Sequence, residues 1–199
     1  MKLVYAAASP YASKCLAVAL ECGLGDRVER VAPEPGAPMH GINIKSPLGK
    51  LPTLETDDGD VLFDSSVITE YLDSLHDGHK LYPSDPKQRF RALTLAALGN
   101  GICDSAFLIV HEGRINGERS PTWVERNWNG VLTATGALEN DIAQLDGAPH
   151  IGHFAIAAGL GYLDLRHADR NWRAERPKLA AWYADFSRRP SVAEATPKG

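Results

Sequence analysis

Hydrophobic and polar residues follow several different periods over the first third of the chain. Short runs with strand-like alternation are separated by two stretches whose apolar residues recur at helical spacing. The resulting order, β-α-β, a loop rich in proline and glycine, then β-β-α, predicts a small mixed sheet with helices on its faces. The predicted elements are a strand Lys2–Ala6, a helix Pro10–Cys22, a weak strand Val28–Ala32, two strands Pro52–Thr56 and Asp60–Phe63, and a helix through Val67–Leu75.

The rest of the chain shows helical periods only. Between the two parts, Asp77–Pro86 is polar, contains two prolines and carries no period, which is typical of a linker. We therefore predict two domains, 1–78 and 86–199, joined by a linker over 79–85. The predicted helices of the second domain are Lys87–His111, one from Pro121 that continues through Leu145, a very apolar one at His150–His167, and one that begins at Pro177.

Composition, charge and cysteine content narrow the functional classes. The chain has 199 residues, a net charge of −4 and a pI near 6.0, which gives no reason to expect nucleic acid or an anionic membrane as a partner. Its apolar runs are too short and interrupted to predict a transmembrane helix, and the first is too short for a secretory signal. Its three cysteines, Cys15, Cys22 and Cys103, form no C-x-x-C pair, so we expect buried thiols and a cytoplasmic protein.

Three short stretches of the first domain carry candidate chemistry. Ser9 stands at the junction of the first strand and helix, Leu51-Pro52 opens a strand, and Asp64-Ser65 precedes the next helix. Each alone is ordinary, because Ser and Asp are common N-caps and Pro is common at the start of an edge strand. Together they place two helix N-termini at one sheet edge, where free N–H groups favour anions and a thiolate. A proline there, if its peptide bond is cis, also leaves the preceding residue free to pair with an extended peptide.

These stretches give the chain a family resemblance. With Ser9-Pro10-Tyr11, the run SPLGKLPTL at 46–54, and the Asp-Ser pair that leads into a helix, the sequence resembles the cytosolic glutathione transferases over nearly its full length. Within that family it is similar to bacterial members with Ser-Pro-aromatic at the first helix, the YibF-like group. The resemblance implies a thioredoxin-like α/β N-terminal domain followed by an all-helical bundle.

The resemblance also implies a glutathione site. Ser9 matches the residue that contacts the glutathione sulfur, Leu51 the residue whose backbone pairs with the cysteinyl unit, and Pro52 the cis-proline. Asp64 and Ser65 match the pair that holds the γ-glutamyl ammonium and carboxylate, a task suited to a carboxylate and to a hydroxyl at a helix N-terminus. The remaining implied contacts are Tyr11, and either Lys50 or His40 for the glycine carboxylate.

The implied activity is that of a glutathione transferase. Ser9 would hydrogen-bond the thiol of the co-substrate glutathione and lower its pKa, and the thiolate would attack a small hydrophobic electrophile; a homodimer is the family expectation. Two other functions stay open: a non-catalytic glutathione-binding or scaffold protein, and a weak glutathione-dependent peroxidase or oxidoreductase. A thiol-disulfide mechanism is disfavoured because position 9 is not Cys. Tyr5 and Cys15 are weaker nucleophile candidates, because Tyr5 lies too early and Cys15 too far into the helix.

The electrophile pocket is predicted from placement on the helix that follows the linker. In this fold that helix passes over the ligand edge of the first domain, and one mixed face of it carries residues at spacings of three and four: Asp104, Phe107, Leu108 and His111. We expect Phe107, His111 and Tyr11 to form the pocket walls. The alternative is that Phe107 belongs to the core and His111 is solvated.

The start of the most apolar helix departs from the family pattern. A Ser/Thr-x-x-Asp capping pair is usual there, and this chain has His150 and His153 instead. Because neither imidazole is a standard N-cap, we expect a poorly specified helix start. No metal is expected, because the histidine pair has no third ligand of suitable type nearby.

Overall fold

A four-stranded sheet forms the centre of the N-terminal domain in the computed structural model, which describes residues 1–33 and 45–199. Strand β1 (Lys2–Val4) pairs in parallel with β2 (Glu29–Val31) and antiparallel with β3 (Thr53–Glu55). Strand β4 (Val61–Leu62) completes the order β2-β1-β3-β4 by pairing antiparallel with β3. The β3–β4 turn contains Gly59 at a φ of 90°, a conformation that glycine adopts without a Cβ penalty.

Two helices pack on this sheet with their N-termini side by side. Helix α1 (Pro10–Glu21) is buried over most of its length, and α2 (Ser65–Ser74) packs against it. The Sγ of Cys15, in the second turn of α1, donates to the backbone C=O of Ser65, the first residue of α2, at 3.7 Å. The first turns of both helices therefore open at the same edge of the sheet, as the sequence predicts.

The C-terminal domain is helical. The helix that follows the linker, Pro86–Asn116, forms the two most extensive helix–helix contacts, with the helices Ile151–Arg166 and Pro121–Asn140. Glycine permits the closest approach, because a Cβ on Gly99 would lie 2.5 Å from the backbone of Ala155. The predicted fold class, a thioredoxin-like α/β domain followed by a helical bundle, is confirmed. The helices are α3 (Pro86–Asn116), α4 (Pro121–Asn140), α5 (Ile151–Arg166), α6 (Pro177–Phe186) and α7 (Pro190–Ala195).

The helix bounds differ from the prediction at two places. Helix α4 ends at Asn140 and does not continue through Leu145, because Asp141 has a φ of −132° and the chain re-forms as a short 3₁₀ turn at Ile142–Leu145. Helix α7 is too short to show a hydrophobic period and was not predicted. Residues 75–85 connect α2 to α3, and the domain bounds 1–78 and 86–199 stay a prediction.

Helix α3 is longer and more apolar than the sequence analysis anticipated. Over Pro86–Arg114 it is long and apolar enough to cross a membrane, by length and composition only, and an 18-residue window within it has a mean hydropathy of 1.7. The expectation that every apolar run is too short is therefore wrong for α3. The helix packs along α5 and α4, and the long core helix of a bundle has the same length and composition.

The start of α5 is well specified, contrary to the sequence expectation. The Nδ1 of His150 accepts from the backbone N–H of Gly152 at 3.2 Å, and the Nδ1 of His153 accepts from the backbone N–H of His150 at 3.1 Å. The Nε2 of His153 lies 3.1 Å from the carbonyl of Leu145, which fixes the proton on that nitrogen. A neutral imidazole therefore supplies the same acceptor that Ser or Asp supplies in the usual capping pair.

This cap should make the protein sensitive to acid. Burial, with neighbouring His153, Arg91 and His79, lowers the pKa of His150 from 6.5 to about 4. As the pH falls, the unfolded chain takes up a proton before the folded chain does, so the cap's contribution is complete above pH 6.5 and is lost between pH 6.5 and 4. Loss of an N-cap costs about 0.5–2 kcal/mol. Thermal unfolding between pH 7.5 and 4.5 measures this loss.

The matched variant is His150→Ser, which keeps a cap that does not titrate. We expect its stability to fall less than that of the parent over the same pH range. The control is His111→Ser, which replaces a half-buried histidine on α3. Its stability should fall with pH as much as that of the parent. Equal acid sensitivity of parent and His150→Ser would show that the cap is not the sensitive group.

Candidate functional site

Ser9 is the N-cap of α1 and lies where the sequence predicts it. Its backbone is extended, with φ −88° and ψ 117°, and its Oγ accepts from the backbone N–H of Ala12 at 3.3 Å. Pro10 follows as the first helical residue and has no N–H to leave unpaired. The bond to Ala12 uses the hydroxyl only as an acceptor, and within residues 1–33 and 45–199 its hydrogen has no acceptor, so it can bond a ligand. This geometry suits contact with an anionic or thiol group at the positive end of the helix.

The Asp64-Ser65 pair lies at the start of α2, beside the start of α1. The Oδ1 of Asp64 accepts from the backbone N–H of Ser66 at 2.9 Å, and the side chain is otherwise exposed to solvent. Ser65 is buried, with 3% of its surface exposed. A ligand at this edge would therefore meet one carboxylate and the free N–H groups of a second helix N-terminus.

The Leu51-Pro52 peptide bond is cis, as the family resemblance implies. Leu51 is half-buried, and no backbone hydrogen bond joins it to another residue in the described ranges. Lys50 is exposed, and its carbonyl accepts from the Oγ1 of Thr53 at 3.2 Å. The position proposed for backbone pairing is thus open, whereas His40, the other candidate for the glycine carboxylate, lies outside the described residues.

Tyr11 bridges the two domains next to Ser9. Its hydroxyl donates to the Oδ1 of Asp104 on α3 at 2.5 Å. Burial raises the pKa of Tyr11, and the bond to Asp104 raises it further, so the phenol remains neutral. On the same face of α3 the rings of Phe107 and His111 stack with centroids 5.0 Å apart, and both side chains are half-buried. The structure therefore joins Tyr11 to the face of α3 that carries Phe107 and His111, and neither ring is fully buried or fully solvated.

The rival nucleophiles are poorly suited to the role. Cys15 is fully buried, and burial raises the pKa of its thiol to about 12. Burial likewise raises the pKa of Cys103 to about 12 and raises that of Tyr5. A thiol or phenol with a raised pKa carries little anion at neutral pH, so Ser9 remains the better candidate for contact with a reacting sulfur.

Lys14 is a buried cation that the sequence analysis did not single out. Only 2% of its surface is exposed, and its Nζ donates to the Oδ1 of Asn100 on α3 at 2.8 Å. Burial lowers the pKa of the ammonium, against the opposing effect of nearby thiols and of Asp64 and Asp104. The only signal of this burial in the sequence is that Lys14 is the one charged residue in the stretch 12–19, whose other residues are apolar or small. Lys14 thus lies within electrostatic range of Asp64 and of Asp104, the partner of Tyr11.

A group of potential metal ligands lies at the far end of α1. The Sγ of Cys22, a carboxylate oxygen of Asp73 and a ring nitrogen of His76 lie within 4.8 Å of one another. The Oδ1 of Asp73 already accepts from the backbone N–H of Leu81 at 2.7 Å and lies 3.2 Å from the Nε2 of His76. Because the Nδ1 of His76 accepts from the backbone N–H of Gly78, its proton resides on Nε2, the atom that faces Asp73. These bonds brace α2 against the segment after it and leave His76 without a free ligand atom.

Two protein-family models match the chain. The model described as "Glutathione S-transferase, N-terminal domain" covers residues 8–75, and "Glutathione S-transferase, C-terminal domain" covers residues 121–185. The chain is 30% identical to the uncharacterized GST-like protein YibF of Escherichia coli (strain K12) over 203 aligned residues. The alignment covers 99% of this chain and 98% of YibF.

Solved structures are similar over both domains. The chain is 39% identical to a glutathione transferase family member from Pseudomonas fluorescens Pf-5 with bound glutathione, with a TM-score of 0.93 over 100% of this chain and 99% of that one. A structure from the same organism with bound S-(propanoic acid)-glutathione gives 38% identity and a TM-score of 0.90 over 100% of both chains. A glutathione S-transferase from Methylobacillus flagellatus KT with glutathione bound gives 31% identity and a TM-score of 0.88 over 99% of both chains.

Proposed function

Because the chain belongs to the glutathione S-transferase family, we propose that it is an active glutathione transferase that presents the glutathione thiolate to a hydrophobic electrophile. One observation carries the proposal: the hydroxyl of Ser9 stands at the N-terminus of α1, next to the N-terminus of α2, and its hydrogen has no acceptor in the part of the chain that the structure describes. Glutathione bound to the Pseudomonas fluorescens relative supports the choice of co-substrate.

Glutathione would lie in an extended form across the sheet edge. The carboxylate of Asp64 would pair with the γ-glutamyl ammonium, and Ser65 with the first N–H groups of α2 would hold the γ-glutamyl carboxylate. The backbone of Leu51, next to the cis-proline Pro52, would pair with the cysteinyl unit. Either Lys50 or His40 would meet the glycine carboxylate.

Ser9 would then activate the sulfur. Its hydroxyl donates to the glutathione sulfur while its lone pair keeps the N–H of Ala12, and the N-terminus of α1 adds a favourable dipole. A thiol with a pKa of roughly 8.5 is mostly protonated at neutral pH, and a drop of two units corresponds to about 2.7 kcal/mol in favour of the thiolate. The thiolate attacks the electrophile directly, so no covalent bond to the protein is required.

The second candidate function, a non-catalytic glutathione-binding protein, shares this binding site. Turnover separates the two, and a panel of aryl halides, epoxides, enones and hydroperoxides also covers the oxidoreductase alternative. Conjugation of the first three classes supports the transferase, and reduction of hydroperoxides alone supports the oxidoreductase. Tight glutathione binding without turnover of any class would favour the scaffold.

We expect Phe107 and His111 to contact the electrophile, because their stacked rings lie on the same face of α3 as Asp104, which accepts from the hydroxyl of Tyr11. Replacing both rings by Ala should raise KM for aryl electrophiles or change the ranking among them, by roughly tenfold, as expected for the loss of one aromatic contact surface. KM for glutathione should be nearly unchanged. Steady-state kinetics with each substrate varied in turn measures both effects.

The control for this double variant is Trp123→Ala, which removes an exposed aromatic side chain from α4. It should leave both KM values as in the parent. If Phe107→Ala with His111→Ala loses glutathione binding and electrophile turnover equally, the two rings support the fold and do not line a pocket.

We also propose a cytoplasmic homodimer in which such conjugation serves detoxification. The dimer is supported by exposed apolar side chains on two neighbouring helices: Val67 on α2 is 48% exposed and Phe90 on α3 is 67% exposed. The two helices are held together there by an ion pair between Glu70 and Arg89. Light scattering should give twice the chain mass, and Phe90→Glu should give the mass of one chain. A parent that runs as a monomer would contradict the dimer.

A further inference from the structure

The turn that leads into α1, residues 6–9 and here called the Ser9 turn, has few contacts of its own. Residues 6–8 are all alanine, so no side chain before Ser9 in this turn can form a hydrogen bond. The backbone N–H of Ser9 donates to the carbonyl of Ala6 at 2.9 Å, which closes the turn on Ser9 itself. The position of the Ser9 hydroxyl therefore depends on how the backbone of this turn is held.

A hydrogen bond from the second domain holds the Ser9 turn. The backbone N–H of Lys198 donates to the carbonyl of Ala7 at 2.9 Å. Within residues 1–33 and 45–199, no other hydrogen bond joins residues 6–8 to an element outside the turn. The Ser9 turn is thus fixed from outside by one backbone donor that lies far from it in sequence.

The segment that supplies this N–H is itself fixed by burial. Residues 196–198 follow α7, and Pro197 is buried. A Cβ on Gly161 would lie 3.1 Å from the Cδ of Pro197, so the proline ring packs on α5. Pro197 also lines a cavity of about 10 Å³ together with Ser13 of α1. The segment therefore packs against both helices and reaches the Ser9 turn from there.

The preceding helix, α7, is attached to the other end of α1. Glu21, the last residue of α1, forms an ion pair with Arg189 and accepts from the Oγ of Ser191 at 2.5 Å. Helix α1 is therefore tied to one stretch of the second domain at both of its ends. Its last turn is held by the start of α7, and the turn before its N-cap is held by Lys198.

We propose that residues 196–198 position the hydroxyl of Ser9 for catalysis, through the bond from the N–H of Lys198 to the carbonyl of Ala7. Lys198 acts through the Ser9 turn and is a positioning residue. A displacement of about 1 Å at a reacting group can lower a rate by roughly a hundredfold, so a turn of alanines gains from an external contact. The inference rests on the proposed transferase function, in which Ser9 donates to the glutathione sulfur.

Removing the N–H tests the inference. Lys198→Pro deletes the donor, whereas Lys198→Ala deletes the same side chain and keeps the N–H. In an ultraviolet titration of the bound thiol, Lys198→Pro should raise the midpoint by about one unit, which is a tenfold change in the ratio of thiolate to thiol. Lys198→Ala should restore the midpoint of the parent. Glutathione affinity, measured by calorimetry, should stay within about twofold in both variants, because the γ-glutamyl contacts at α2 remain.

Two further variants separate positioning from other effects of proline. Pro197→Gly keeps the N–H of Lys198 but removes the buried ring that fixes the segment, and it should also raise the midpoint. Asp146→Pro deletes a loop N–H that donates to the carbonyl of Ala143 at 3.1 Å, at a φ of −80° that suits proline. It should keep the midpoint of the parent.

A midpoint in Lys198→Pro equal to that of the parent would overturn this inference and leave the transferase proposal standing. So would an equal rise in Lys198→Ala or in Asp146→Pro, because neither deletes the bond to Ala7. A large loss of glutathione affinity in Lys198→Pro would also overturn it, since the segment would then support the whole site. A parent whose bound glutathione titrates like the free thiol would overturn the proposed function, and this inference with it.

Discussion

Replacing Asp64 by Asn should weaken glutathione binding about ten- to a hundredfold. Asn is as good an N-cap as Asp, so α2 keeps its bond to the N–H of Ser66 and the fold should be unaffected. What is lost is the charge that would pair with the γ-glutamyl ammonium, and a charge-assisted hydrogen bond is worth about 1.5–3 kcal/mol. Ser65→Ala, which removes a partner of the γ-glutamyl carboxylate, should have an effect of similar size. Calorimetric titration with glutathione measures both dissociation constants.

The chain offers a matched control for the Asp64 variant. Asp85 caps α3 in the same way, because its Oδ1 accepts from the backbone N–H of Gln88 at 2.9 Å, also at an exposed position. Asp85→Asn should therefore leave glutathione affinity unchanged. If the dissociation constant is the same in Asp64→Asn, Ser65→Ala and the parent, glutathione does not bind at the start of α2.

Replacing Ser9 by Ala should lower turnover at neutral pH by on the order of ten- to a hundredfold, because the glutathione thiol would return toward its solution pKa. Glutathione affinity should change little, since the γ-glutamyl contacts at α2 remain. The folded state should lose only the cap, about 0.5–2 kcal/mol. The pH–rate profile, measured from pH 5.5 to 9, should move to higher pH.

Ser120 is the matched control for Ser9. It also caps a helix that begins with proline, and its Oγ accepts from the backbone N–H of Trp123 at 3.4 Å. Ser120→Ala should lose similar stability and keep the parent's pH–rate profile. Coincident profiles for Ser9→Ala and the parent would mean that Ser9 is only a helix cap.

Local signals in the sequence predict the elements of this fold well. Strand periods, the Ser9-Pro10 and Ser120-Pro121 helix starts and the turn at Gly59 all depend on neighbouring residues, and the structure has each of them. The predictions of helix ends and caps are wrong where the structure depends on a single backbone angle or hydrogen bond that leaves no hydrophobic period in the sequence. Helix α4 stops because of one backbone angle at Asp141, and the imidazole caps of α5 require a particular tautomer.

The candidate site was predictable where it consists of helix starts and not where it consists of contacts between domains. The sequence pattern places Leu51-Pro52 at the start of a strand, and the resemblance to a family implied that this peptide bond is cis. The bond from Tyr11 to Asp104 and the bond from Lys14 to Asn100 join residues far apart in sequence, so no local period predicts them. The only indication of the Lys14 contact in the sequence is that a charged side chain stands among the apolar and small residues of α1.

The central claim is that the protein lowers the pKa of bound glutathione through Ser9, and the ultraviolet thiolate absorbance of bound glutathione tests it most directly. Parent protein saturated with glutathione is titrated from pH 5 to 10, with S-methylglutathione as the thiol-free blank. We predict a midpoint about two units below that of the free thiol, whose pKa is roughly 8.5, and a midpoint shifted upward in Ser9→Ala. Saturating glutathione that titrates like the free thiol in the parent would contradict the account.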